Sequence, residues 1–301
     1  MEFGKITNFS QVDFTLPAEN ITFLEGKKSH PAMQIYVGCP IWNHKAWIGH
    51  LYPKNAKEKD FLHHYSQQFN TIELNLTHYR IPDLDTVHKW HSQTQPHFTF
   101  CPKIPQEISH QQLLRGDFQN LSQLFFDNMS YLGEKIGMYF LQLPPYFEPR
   151  HLSLLEDFLA YQAHWKTPIA VEFRHENFFK SLQFQKAIDL LQRYEATALM
   201  TDVAGRRDVL HMHLSTATLM LRFVGNNLHQ TDYERIDQWT EKIDQWQKKG
   251  LESIYFFAHE PENTLAPTLA DYFIEQLQKK EIQTTPQRPQ FQQNFIQKSL
   301  F

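Results

Sequence analysis

Short runs rich in β-branched and aromatic residues recur along the chain, each followed by a segment of helical spacing or a longer loop. The runs are Gln34–Gly38, Thr71–Asn75, His97–Lys103, Gly137–Leu143, Pro168–Phe173, Thr197–Asp202, Ala217–Phe223 and Glu252–Phe257. Strands that alternate with helices argue for βαβ units and a parallel sheet. Eight of them in 301 residues fit a closed TIM-type (β/α)8 barrel better than an open doubly wound sheet. The expected organisation is an N-terminal extension over 1–33, a β/α barrel domain over 34–280 and a Gln-rich C-terminal tail over 281–301. Pro286 and Pro289 break up the tail, while Phe291, Phe295, Leu300 and Phe301 give it apolar groups with which to dock.

Several helices carry start signals. Thr231 and Glu234 have the spacing of a capping box, in which hydroxyl and carboxylate satisfy reciprocal backbone donors. Behind them Ile236, Trp239, Ile243 and Trp246 form one apolar stripe, with Gly250 as the stop. Asn55 and Glu58 have the same spacing ahead of Phe61, Leu62, Tyr65 and Phe69. Leu152, Leu155, Phe158 and Leu159 mark a further stripe, and all these faces are expected to pack on the outside of the barrel.

Alternation along the strands locates the candidate chemistry. Glu73 and Asn75 share a face, as do Cys101 with Lys103, Phe140 with Gln142, Glu172 with Arg174, and Met220 with Arg222. Asp202 closes the sixth strand, and His259 and Glu260 follow the eighth. These groups lie at the C-terminal strand ends, which in a barrel converge on the catalytic face. An unpaired carboxylate pointing outward would meet apolar helix faces at a cost of several kcal/mol, so an inward polar ring is expected. The bland alternative is an ion-pair network that plugs the mouth.

Composition narrows the picture. The net charge of −4 does not favour a general grip on nucleic acid, although a local basic groove is compatible with it. Cys39 and Cys101 form neither a CxxC pair nor a disulfide framework. Without a signal-peptide pattern or a long apolar run, the expectation is a cytoplasmic protein with no membrane partner. No P-loop, GxGxxG, GxSxG or HExxH is found. His211 and His213 would present one face to a metal only on a strand, and a loop is expected there. Glu73, Glu172, Asp202 and His259 are a candidate set for a divalent metal, but the nearby Lys103, Arg174 and Arg222 argue for an anionic ligand.

At these residues the sequence resembles the YecE-like family, the bacterial domain of unknown function 72, over roughly Ile35 to Leu269. The most specific pieces are Phe69-Asn70-Thr71-Ile72-Glu73-Leu74-Asn75 through Tyr79-Arg80, Leu141-Gln142-Leu143-Pro144-Pro145, and Val171-Glu172-Phe173-Arg174-His175. Gly38 with Trp42, Trp47, Tyr52-Pro53, Lys103-Ile104-Pro105, Ser109-His110, and Asp202 with Gly205 support them. The resemblance implies a TIM-type barrel and supplies no established reaction. Three loops depart from the family's pattern. Gly38-Cys39-Pro40-Ile41-Trp42 stands where a Gly-Thr-Ser-Gly-Trp-like loop is usual, Phe223-Val224-Gly225 where Leu-His-Gly is, and Phe257-Ala258-His259-Glu260 where Phe-Asn-Asn is. These departures imply altered specificity or a lost activity.

The favoured reading is an enzyme using acid–base chemistry on a small anionic or polyol substrate. Glu73, Glu172 and Asp202 are its candidate catalytic groups. Trp42, Asn75, Tyr79, Lys103, Gln142, Arg174, His175, Arg222 and His259 are candidate substrate-binding groups. Neighbouring carboxylates are expected in opposite protonation states. The alternatives are a metal-dependent nucleic-acid-processing barrel and a ligand-binding barrel without turnover. The sequence leaves cofactor identity and oligomeric state open.

Overall fold

The computed structural model describes residues 9–27, 33–180, 182–284 and 287–292. Eight parallel strand segments follow one another in chain order: β1 (Gln34–Gly38), β2 (Thr71–Leu74), β3 (Thr99–Pro102), β4 (Tyr139–Gln142), β5 (Ile169–Glu172), β6 (Thr197–Ala198 and Met200–Val203, on either side of Leu199), β7 (Thr218–Val224) and β8 (Ser253–His259). Ladders join β1 to β8, β8 to β7, β7 to β6, β6 to β5, β5 to β4, and β2 to β3.

Backbone and side-chain links complete the ring. Between β3 and β4, the Gly137 amide donates to the Phe100 carbonyl at 2.9 Å and the Ile104 amide to the Phe140 carbonyl at 2.8 Å. Between β1 and β2, the Glu73 amide donates to the Cys39 carbonyl at 3.3 Å. The Asn70 side chain supplements that seam, accepting from the Val37 amide at 2.9 Å and donating to the Ile35 carbonyl at 2.8 Å. Gly38 permits this closure, because a Cβ there would lie 2.1 Å from the Thr71 carbonyl oxygen. The result is the expected eight-stranded parallel barrel.

Strand alternation sorts the apolar groups into two cores. Cys101, Met138, Phe140, Ala170, Leu199, Met220, Tyr255 and Phe257 fill the inside of the ring. Val37, Ile72, Phe100, Val171, Leu221 and Phe256 face outward into the larger core under the helices. Those helices are α1 (Phe61–Gln68), α2 (Leu84–Gln93), α3 (Gln119–Ser130), α4 (Leu152–Gln162), α5 (Gln183–Arg193), α6 (Gln230–Lys248) and α7 (Ala266–Lys279). The predicted stripes of α1, α4 and α6 do face this core.

The expected capping boxes do not form. His229 caps α6 by accepting from the Thr231 amide, and α1 grows out of a 3-10 turn whose N-cap, Lys57, makes no side-chain cap. Imidazole nitrogen competes well for a first-turn amide, and the extra 3-10 turn moves the helix start beyond the reach of Asn55.

No α-helix follows β6. Residues 204–217 carry a 3-10 turn, Ala204–Val209, and a two-residue strand, Met212–His213. That short strand pairs in parallel with Glu19–Asn20, so the N-terminal segment lies where a helix would otherwise cover the barrel. Glu19 accepts from Lys242 and Trp246 of α6, and Asn20 donates to Gln185 of α5. Leu24 is buried in the outer core. His213 therefore lies in a strand, unlike the expected loop, and the partner strand comes from too far away in sequence for spacing to reveal it.

The described part of the tail docks through Phe291, stacked on His50 at 4.7 Å, and through Arg288, which pairs with Asp271 at 2.7 Å. Pro286, Phe295, Leu300 and Phe301 lie outside the described residues.

Candidate functional site

The inward-facing positions at the C-terminal strand ends carry Glu73 on β2, Lys103 just past β3, Gln142 on β4, Glu172 on β5, Thr201 on β6, Arg222 on β7 and His259 on β8. Below them lies the apolar plug of Phe140, Met220 and Phe257. Arg222 is the hub. Its Nε and Nη2 donate to the two oxygens of Glu73 at 2.9 and 3.1 Å, a bidentate pair, and Nη1 approaches both oxygens of Glu172 at 3.4 and 3.3 Å.

Around that hub each carboxylate is further engaged. His259 Nε2 lies 2.9 Å from Glu73 Oε2, and Asn75 donates to Glu73 Oε1 at 2.9 Å. Glu172 accepts from Thr201 at 2.8 Å and from the Gln142 amide, and Arg174 Nε stands 3.7 Å from its Oε1. The Gln142 carbonyl oxygen in turn accepts from Lys103 Nζ at 3.0 Å. Glu73, Asn75, Lys103, Gln142, Glu172, Arg174, Arg222 and His259 are thus brought into one polar cluster. Thr201, which sequence reasoning passed over, belongs with them; alternation from the inward-facing Leu199 would have found it.

Electrostatics assign different characters to these groups. Burial alone would raise both carboxyls, but Arg222 and His259 hold Glu73 well below the usual range. Arg222 and Arg174 likewise lower Glu172 against its burial. Both carboxylates are therefore ionised together, and the expected split into one acid and one base does not occur. Desolvation, reinforced by Arg222, instead brings the Lys103 ammonium down to about 8. Among the described residues, three basic side chains, Lys103, Arg174 and Arg222, face two carboxylates.

Two imidazoles absent from the expected set flank the cluster. His78 Nδ1 hydrogen-bonds the Ile104 carbonyl at 2.9 Å, and its ring meets that of His110 edge-on at 5.4 Å. Burial and the charge of Lys103 bring both down to about 4, so both are neutral at pH 7. His110 comes from a π-helical turn, Ile108–Gln112, which no simple periodicity announces. Tyr79 stands 73% exposed beside His78, at the rim and outside the hydrogen-bonded cluster.

Three expected placements need correction. Trp42 does not wall the mouth: it packs edge-on against Trp90 of α2, in a surface recess that Leu62 of α1 also lines. An indole on a loop pays no parity rule, and the nearest aromatic surface captures it. His175 accepts from the Asn177 amide and so caps the 3-10 turn Glu176–Phe178. Asp202 leaves the barrel altogether. It is one residue past the inward Thr201, so it faces the helices, where it accepts from Arg235 at 2.8 Å, from Trp239 at 2.7 Å and from Arg207. Outward placement was expected to be too costly; Arg235 removes that cost, since both side chains are fully buried and paired.

The proposed divalent site fails on the same geometry. Asp202 lies on the opposite face of the wall, and the Arg222 guanidinium occupies the space between Glu73 and Glu172 that a cation would need. Among the described residues no three His, Cys, Asp or Glu side chains form a metal-holding group. His211 is spent on the Leu199 carbonyl, at 3.0 Å. Cys101 lies inside the barrel, where burial pushes its thiol up to about 12. No helix among the described residues is long and apolar enough to cross a membrane.

Comparison with known proteins places this geometry in context. The family described as "Protein of unknown function DUF72" matches residues 36–293. The chain is 31% identical over 277 residues to the UPF0759 protein YecE of Escherichia coli K12, covering 85% of this chain and 98% of that one. It is 25% identical over 166 residues to the UPF0759 protein YunF of Bacillus subtilis 168, covering 52% and 57%. Among solved structures, a DUF72 family protein from Enterococcus faecalis V583 superposes with a TM-score of 0.64 at 14% identity, covering 81% of this chain and 96% of that one. A DUF72 family protein from Thermotoga maritima MSB8 gives 0.61 at 22% identity, covering 81% and 99%. These structural likenesses concern the fold.

Proposed function

The chain belongs to the DUF72 family, and from that premise we propose that it is an enzyme acting on a small anionic substrate at the C-terminal mouth of its barrel. The observation that carries this reading is that, among the described residues, basic groups outnumber acidic ones in a nearly closed cluster, with Lys103, Arg174 and Arg222 against Glu73 and Glu172. An anion entering there meets desolvated donors that are already oriented, which strengthens each charge-assisted hydrogen bond. A neutral polyol would leave the surplus charge uncompensated.

Roles follow from occupancy. Both carboxylates are fully engaged, but Arg222 grips Glu73 in a bidentate pair at 2.9 and 3.1 Å and reaches Glu172 only at 3.4 and 3.3 Å, so Glu73 orients Arg222 while Glu172 is the more loosely held of the two. Glu172 is an ionised acceptor suited to stabilising positive charge or taking a proton. Lys103, brought close to neutrality, is the group suited to giving one.

Two measurements test the proposal. Calorimetric titration with inorganic phosphate and oxalate should show binding that weakens by about tenfold or more in Arg174→Met, the scale of one charge-assisted hydrogen bond; erythritol should not bind. NMR of the protein incubated with a mixture of carboxylated and phosphorylated metabolites should show one anionic component consumed. Glu172→Gln should fold and lose that turnover. Absence of anion binding, or consumption that is unchanged in Glu172→Gln, would overturn the corresponding part of the reading.

A further inference from the structure

Lys103 is the anomaly of the cluster. Its Nζ donates to Gln142 Oε1 at 3.0 Å, while among the described residues no carboxylate oxygen lies within ion-pairing distance of it. The side chain is 7% exposed, and Phe140 lies beneath the amine at 5.3 Å from its centroid. A buried ammonium is normally paired; one that is not either loses its proton or awaits a negative partner.

The charges around it act in opposite senses. Arg222 and Arg174 oppose protonation, Glu73 and Glu172 favour it, and the neutral His78 and His110 stand on the rim side. Arg222 spends its charge on the two carboxylates and so blunts their pull on the amine.

Gln142 fixes the direction of the amine. Its amide nitrogen donates to Glu172, an acceptor only, which forces the carbonyl oxygen toward Lys103. One N–H of Lys103 is thereby tied down. A neutral amine held this way has its lone pair and remaining N–H for the mouth of the barrel.

We propose that Lys103 is a nucleophile that forms an imine with an anionic substrate bearing a ketone or aldehyde, such as a 2-oxo acid or a phosphorylated ketose. This deepens the anion-site reading above and rests on it. Arg174, beside Glu172 at 3.7 Å, holds the substrate's carboxylate or phosphate. The amine lone pair attacks the carbonyl carbon, forming the C–N bond as the π electrons move to oxygen. The nitrogen loses one proton and the oxygen gains two, one of them from that nitrogen by way of Glu172 or solvent and one from solvent. Water then leaves and a protonated imine remains, with no oxidant or reductant involved.

The environment supports this chemistry. With the amine at about 8, roughly a tenth is neutral at pH 7, about 300-fold more than for a lysine of ordinary value. The protonated imine would sit where Lys103 now sits, its charge facing Glu172.

Borohydride trapping tests the step on the full-length protein. Pyruvate and dihydroxyacetone phosphate serve as probes, with lactate and glycerol 3-phosphate as matched anions that lack the carbonyl. Peptide mass mapping should locate a reduced adduct on Lys103, suppressed by the matching non-carbonyl anion and absent in Lys103→Arg. Its rate of formation should rise with pH through about 8 and level off above. If Lys103→Arg does not fold, the wild-type map and pH profile still decide the matter. Lactate or glycerol 3-phosphate binding by calorimetry, weakened in Arg174→Met, with Lys103 left unmodified by either probe, would overturn the imine and leave the anion site standing. Failure of all four compounds and of phosphate to bind would overturn both.

Discussion

Two buried ion clusters sit back to back across the barrel wall near the end of β6, and they differ in what they leave undone. On the helix side, Asp202, Asp232 and Arg235 are completely buried, and Arg235 donates to both aspartates. Trp239 takes the second oxygen of Asp202, and Asn226 takes that of Asp232. On the inner side, Glu73 and Glu172 are satisfied in the same manner by Arg222, but among the described residues Lys103 has no carboxylate and donates to the Gln142 amide oxygen instead. The outer cluster is closed and pins α6 to β6. The inner one, among the described residues, leaves the Lys103 ammonium without a carboxylate partner. Burial and ion pairing alone therefore do not mark a site; an incomplete pairing does.

The sharpest way to break this contrast is to remove each hub. Arg235→Met should destabilise the fold by about 3–5 kcal/mol, as read by urea denaturation, because it takes the buried guanidinium from both aspartates and leaves Asp232 with Asn226 and Asp202 with Arg207 and Trp239. Any of that variant which folds should bind phosphate as the parent does. Arg222→Met should cost less stability, since Lys103 can move toward its carboxylates while Asn75, Thr201 and Gln142 still donate to them, yet it should abolish anion binding. Equal losses of stability with binding intact in both would remove the distinction.

Lys103→Met sharpens it from the other direction. The folded amine titrates below its unfolded value, so folding disfavours the charged form. Wild-type stability should rise with pH between about 8 and the ordinary lysine value near 10.5. The variant should be more stable than its parent at pH 7 by roughly 1–3 kcal/mol and lack that rise.

Acid acts on both sides of the wall. His78 and His110 at the mouth, at about 4, and His211 behind it, at about 3, are all depressed by burial. Their stabilising neutrality is complete above about 6.5 and fades as pH falls toward those values. The urea midpoint should therefore drop between pH 6.5 and 5, with His211→Asn losing a share worth about 1–2 kcal/mol at pH 5. The smallest effect is expected from Phe14→Ala. Phe14 lies over Arg207 and Arg235 at 5.6 and 5.3 Å, and its loss should cost about 1 kcal/mol in the same denaturation experiment.

Much of this was legible in the chain. All eight strands lie where apolar runs placed them, and alternation put Glu73, Lys103, Gln142, Glu172 and Arg222 on the inner face. Asp202 was misread because closing a strand says nothing about which way a residue points; counting one residue on from Thr201 sends it outward. Its partner, Arg235, is 33 residues away and on a helix, so pairing that makes such a carboxylate affordable is invisible to local pattern. Trp42, His78 and His110 sit on loops or irregular turns, where no period constrains direction. The missing helix after β6 was equally hidden, because its replacement comes from the other end of the sequence.

That substitution has a bearing on how the molecule is made. Glu19 must find Met212, and Phe14 must find Arg207, each across nearly two hundred residues. During synthesis Phe14 and Glu19 emerge long before their seats exist, so the seam beside α6 is left uncovered until Met212 and Arg207 are out. Contacts that span so much sequence form slowly. A segment made well before its partners is thus among the last to settle, and sealing of the barrel's flank comes late in folding.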